Sequence, residues 1–118
     1  MNDQNQSEKI PVCNLDSPLV AAVNAIGGKW KTLILYMLYN RTLRFGEIKS
    51  SIPNITQKML SQKLKELQAD GLVLRVSYHE IPPRVEYSLT DYAKELGPIL
   101  SQLCEWGSRL DRHTSSKS

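Results

Sequence analysis

A chain of 118 residues, 41% hydrophobic and 23% charged, has room for one domain with a modest core and a short tail at each end. No apolar run reaches the ~20 residues that a bilayer span needs. The polar start, Met1 to Val12, lacks the apolar centre of a secretion signal, so a cytoplasmic protein with no membrane partner is expected. The net charge of +3 is small, but it is unevenly placed: residues 41–65 carry Arg41, Arg44, Lys49, Lys58, Lys63 and Lys65 against Glu47 alone, a local +5.

Residues 1–15 read as a flexible arm that includes Cys13. A domain over 16–112 follows, and 113–118 is a polar tail expected to be disordered. Ser17-Pro18 opens a first helix, Ser as N-cap and Pro at the first helical position. Leu19, Val20, Val23 and Ile26 form its apolar stripe, and Gly27-Gly28 ends it. A second helix runs from Lys29 to about Tyr39 with Trp30, Leu33, Ile34, Met37 and Leu38 inward. Gly27-Gly28-Lys29 is no phosphate loop, because the earlier Gly, the Ser/Thr after Lys and a preceding strand are all missing.

Asn40 to Arg44 is a connector with room for a short edge strand. Phe45 to Ser51 is a short helix, and Pro53-Asn54 forces a turn. Thr56 caps a longer helix to about Asp70, with Ile55, Leu60, Leu64 and Leu67 on the buried side and Gly71 just past its end. Leu72 to His79 and Val85 to Leu89 read as paired strands around a stiff Pro82-Pro83-Arg84 tip. Thr90 caps a last helix carrying Leu96, Ile99, Leu100, Leu103, Trp106 and Leu110, with a kink expected at Gly97-Pro98.

That order is a winged helix-turn-helix: mainly α with a small β-wing, an α+β chain. The longer helix shows solvent Thr56, Gln57, Lys58, Ser61 and Gln62, with no acid among them up to Lys65. Such a face suits the major groove of double-stranded operator DNA. Gln57 and Gln62 fit adenine edges and Lys58 a guanine, while Lys63 and Lys65 fall toward the backbone and Arg44 adds to the basic set. Arg84 at the wing tip is the minor-groove candidate, with a salt bridge to Glu80 or Glu86 as the plain alternative.

These residues resemble the HxlR family of bacterial winged-helix regulators. The matching stretches are Ile26-Gly27-Gly28-Lys29-Trp30 with Leu33-Ile34-Leu35, and Leu43-Arg44-Phe45-Gly46-Glu47-Ile48. They continue with the segment from Ile55 to Leu67, Asp70-Gly71-Leu72, Pro82-Pro83-Arg84-Val85-Glu86-Tyr87 with Leu89-Thr90, and Trp106-Gly107. The resemblance spans roughly Cys13 to Gly107. It implies a homodimer on operator DNA, and in some members a thiol sensor with a cysteine in the position of Cys13.

A single domain covers one half-site, so a twofold dimer is expected. The first and last helices carry more apolar surface than a wing core needs, which assigns Leu19, Val20, Val23, Ile99, Leu100, Leu103 and Trp106 to its interface. An intersubunit Cys13–Cys104 bond would reorient the subunits and change half-site spacing; the alternative for Cys104 is an inert buried thiol. The signal is then an oxidant or electrophile, or else a small-molecule effector without thiol chemistry. Repression is the expected mode. Two cysteines do not make a disulfide framework, and without CxxC or ligand spacing at His79 and His113 no metal or other cofactor is expected. No nucleophile–base–orienter set points to an enzyme. A winged helix used only for protein contacts is the remaining rival, disfavoured by the +5 segment.

Overall fold

The computed structural model describes residues 17–117, with side chains through residue 110. The expected arm, and Cys13 with it, lies outside the described residues. The order is α1 (Pro18–Ile26), α2 (Gly28–Asn40), β1 (Leu43–Arg44), α3 (Phe45–Ser51), α4 (Gln57–Ala69), β2 (Val73–Tyr78), β3 (Arg84–Leu89), α5 (Asp91–Lys94) and α6 (Gly97–Lys117). This is a winged helix-turn-helix, mostly helical with one antiparallel sheet in the order β1-β3-β2.

Local chemistry sets most of these boundaries. The Ser17 hydroxyl accepts from the Val20 amide, and Pro18 needs no partner for a missing N–H. Gly27 caps α1, and α2 begins at Gly28, one residue earlier than the sequence suggests. The Thr32 hydroxyl lies 2.8 Å from the Ile26 carbonyl and 3.0 Å from that of Gly28, tying the corner between the two helices. Between α3 and α4 the turn is made by Asn54 at φ 71, a left-handed conformation that Asn tolerates better than most residues. Thr56 then caps α4 by accepting from the Met59 amide.

The end of α4 is a Schellman motif. The Leu72 amide donates to the Leu67 carbonyl and the Gly71 amide to that of Gln68, with Gly71 at φ 74. Leu67 and Leu72 are both buried at this junction. Thr90 closes the module: its hydroxyl donates to the Gly71 carbonyl and accepts from the Ala93 amide.

Two expectations for the C-terminal half change. Thr90 caps the four-residue α5, not the long helix, and Gly97-Pro98 starts a new helix rather than kinking one. Proline tolerates the first turn of a helix, and Gly97 lies so close under the Tyr39 ring that a Cβ would strike it. The last helix also continues through Lys117, past the tail boundary expected at His113. No Gly or Pro follows Gly107 to stop it.

The core joins Ile34, Leu35 and Leu38 of α2, Ile48 of α3, Leu60, Leu64 and Leu67 of α4, and Leu43, Val73, Tyr87 and Leu89 of the sheet. Leu100 is 2% exposed and belongs to this cluster, which corrects its assignment to a subunit interface. The apolar stripe on α6 is wide enough to serve both the core and the surface, and a stripe alone does not separate the two. No described helix is long and apolar enough to cross a membrane.

Candidate nucleic-acid interface

The back of α4 fixes what its front presents. With Leu60, Leu64 and Leu67 buried, helical spacing turns Gln57, Lys58, Gln62 and Lys65 to solvent, with Ser61 half-buried between them. Lys58, Ser61, Gln62, Lys65 and Glu66 line one shallow groove on that face. The Thr56 side chain satisfies one amide of the first turn, and the remaining free N–H groups there favour an anion. Arg44, ahead of α3, is exposed, and its backbone amide donates to the Glu47 carboxylate at 2.8 Å.

The first acid on this surface is Glu66, and it is held. The Lys31 ammonium of α2 sits 3.1 Å from its carboxylate, Lys63 sits 3.6 Å from the same oxygen, and the Gln62 amide donates at 3.3 Å. The Lys31 contact is the main reason that the Glu66 carboxyl lies below the usual carboxylate range. Lys63 is therefore shared between any phosphate and Glu66, whereas Lys58 and Lys65 have no carboxylate partner among the described residues.

The wing gives a less simple picture. Arg84 is not a free cation at the tip. Its Nη1 donates to Glu86 and its Nη2 to Glu80, each at 2.9 Å, and its guanidinium lies 3.9 Å from the centre of the Tyr78 ring. Burial would lower the guanidinium's pKa, but the two carboxylates outweigh that and raise it. What the tip leaves open is His79 and a fully exposed Ile81.

Sequence reasoning missed Arg75. It is exposed on β2, pairs across the ladder with Tyr87, and lines a cleft of about 490 Å³ with Gln57, Ser61 and Lys65 of α4. Strand alternation gave it a partner set, but not which set faces α4.

The outer helices present apolar surface. Leu19 is 60% exposed, Val23 53%, Ile99 57%, Leu103 48% and Trp106 53%, and Val20 is half-buried. None of the residues of α1 is buried. Cys104 is exposed with a free thiol, so it is not the inert buried thiol weighed as its alternative. It borders an apolar groove between α2 and α6, lined by Leu33, Tyr36, Leu100 and Leu103.

The model of the HxlR-like helix-turn-helix family matches residues 25–115. An HTH-type transcriptional regulator of Methanothermobacter thermautotrophicus is 54% identical over 92 residues, 78% of this chain and 70% of the relative. Among solved structures, the redox regulator HypR in its reduced form superposes with a TM-score of 0.80 at 44% identity, covering 85% of this chain and 99% of that one. The reduced form of the transcriptional regulator YodB from B. subtilis gives a TM-score of 0.69 at 34% identity, covering 79% and 92%.

Proposed function

Because the chain belongs to the HxlR-like helix-turn-helix family of DNA-binding transcriptional regulators, we propose that it acts as a homodimeric repressor whose α4 helices read an operator and whose thiols report the signal. The observation that carries the DNA reading is the outward face of α4, where Gln57, Lys58, Ser61, Gln62 and Lys65 stand together with no unpaired acid. Gln57, Lys58, Ser61 and Gln62 serve base edges in the major groove; Thr56, Lys63, Lys65 and Arg44 serve the phosphates.

A dimer is supported by the exposed apolar faces of α1 and α6. Leu19, Val23, Ile99, Leu103 and Trp106 with Val20 would bury against a second copy, setting the two α4 helices about one DNA turn, ~34 Å, apart. The thiol reading is supported by the exposed Cys104 and by the likeness to HypR and YodB, the first of which is named a redox regulator. A two-electron oxidant reaching Cys13 and Cys104 would take up the electrons and protons of both thiols, join them as a disulfide between subunits and shift the half-site spacing; an electrophile would instead cap the Cys13 thiol without forming that bond.

Fluorescence anisotropy with duplex DNA from upstream of its own gene, under reductant and then under a mild thiol oxidant, tests this. Tight salt-sensitive binding that is lost on oxidation and restored by reductant is expected. Binding indifferent to oxidation, or an unchanged response in Cys13→Ser, would retire the thiol switch and leave a small-molecule effector as the signal.

A further inference from the structure

We propose that the wing meets DNA through Arg75, on the face turned toward α4, and that Arg84 braces the wing from the opposite face without touching the duplex. This rests on the DNA-binding reading above and assigns roles within it.

The register of the sheet separates the two arginines. Directly paired residues share a face of the pleat, and successive residues alternate. Val73 pairs with Leu89, Arg75 with Tyr87 and Ser77 with Val85. Val73, Leu89 and Tyr87 are core residues, so this is the face packed on the helices, and Arg75 extends it beyond the core. Leu74 pairs with Ser88, Val76 with Glu86 and Tyr78 with Arg84. Leu74 is 50% and Val76 41% exposed, so Arg84 and Glu86 stand on the side away from α4.

The surroundings differ as much as the faces. Arg75 has no carboxylate partner among the described residues, and the cleft that it lines is shared with Lys65, Gln57, Ser61 and Gln68 of α4, over a floor that includes Phe45, Leu64 and Tyr87. Two cations on separate elements, lining one groove with amide and hydroxyl side chains, make a seat for a backbone phosphate between the reading helix and the wing. Arg84 has both Nη groups committed and its flat face on Tyr78, and its Nε is buried without a partner. Withdrawing it would break both charge-assisted bonds and leave Glu80 and Glu86 uncompensated as a polyanion approaches. It is a positioning residue: it cancels those carboxylates and ties the tip to β3.

The test is the salt dependence of binding by the full chain, measured on the upstream duplex and on a random-sequence duplex, for wild type, Arg75→Gln, Arg84→Gln and Arg84→Lys. Arg75→Gln is expected to weaken binding on both duplexes and lower the slope of log K against log salt by about 0.9, with thermal stability unchanged. Arg84→Gln is expected to keep the slope while amide exchange in the β2–β3 turn quickens. Arg84→Lys should quicken exchange as well, because one ammonium does not reproduce a planar fork between two carboxylates. A slope that falls in Arg84→Gln and returns in Arg84→Lys, or one that stays put in Arg75→Gln, overturns the assignment. Slopes on the random duplex test it even if the upstream fragment carries no operator; loss of all DNA binding by the wild type would instead bring down the parent reading.

Discussion

The body built on α2, α3, α4 and the sheet buries its apolar faces on itself, whereas the outer pair, α1 and α6, leaves Leu19, Val23, Ile99, Leu103 and Trp106 exposed. Every large side chain that is fully buried, Ile34, Leu35, Ile48, Leu60, Leu64 and Leu67, comes from α2, α3 or α4. Helix α1 contributes none, and among the described side chains of α6 only Leu100 belongs to the core. Yet the two groups have the same kind of apolar periodicity. A stripe at helical spacing says that a face needs covering; only the packing says whether the cover lies in the same chain.

The sharpest way to break that contrast is to truncate one residue on each side of it. Leu64→Ala removes a 1% exposed side chain from the back of α4 and should cost ~2–5 kcal/mol in chemical denaturation, because the site is walled by other core residues and collapses little. A loss under ~1 kcal/mol would mean that the body is not the rigid part. Trp106→Ala, on a half-exposed ring of α6, should leave the body folded and weaken self-association by ~2 kcal/mol, roughly 30-fold, read by sedimentation at several concentrations. A wild type that stays monomeric at micromolar concentration would sink the interface altogether.

The same contrast explains what was legible in the sequence. The start of α1 and both ends of α4 follow from single residues, Ser17, Thr56 and Gly71, whose caps work through bonds a few positions away. The DNA-facing set on α4 follows from its buried opposite face. What escaped depends on partners distant in sequence. Leu100 is core because α6 packs on α2, and position 97 admits no side chain because the Tyr39 ring sits over it. Arg75 lines the α4 cleft because its strand face continues from Val73, a register that alternation leaves open between two choices. Arg84 is tied down by Glu80 and Glu86 together, whereas composition offered either one as a simple pair.

A smaller effect sharpens how firmly the reading helix is joined to the wing. Gly71 holds φ 74 at the end of α4, where nothing crowds a Cβ but a left-handed backbone is required. Gly71→Ala should cost ~1–2 kcal/mol in thermal unfolding from that conformation alone. Asn54, also left-handed but inside the turn before α4, offers the converse: Asn54→Gly should be neutral or slightly stabilising. Equal penalties at the two positions would contradict a purely backbone origin.

The smallest effect concerns the tie between scaffold and reading helix, Lys31 of α2 against Glu66 of α4 at 3.1 Å. The hydrogen bond from Lys31 lowers the Glu66 pKa in the folded protein, so on acidification the unfolded chain takes up this proton first. The pair's contribution is therefore full above the ordinary carboxylate range and is lost as pH falls through the lowered folded value. Glu66→Gln has no such term, so the stability gap between it and the wild type should be widest near neutral pH and close under acid. Lys31→Met, which removes the cation, should likewise lie below the wild type at neutral pH and approach it under acid. Because Glu66 is 37% exposed, solvent screens the pair, and salt should shrink the gap as acid does. Melting curves of the three proteins across pH decide it: a gap that does not change with pH would mean that Glu66 contributes through packing and its bond to Gln62, with the ion pair to α2 adding nothing.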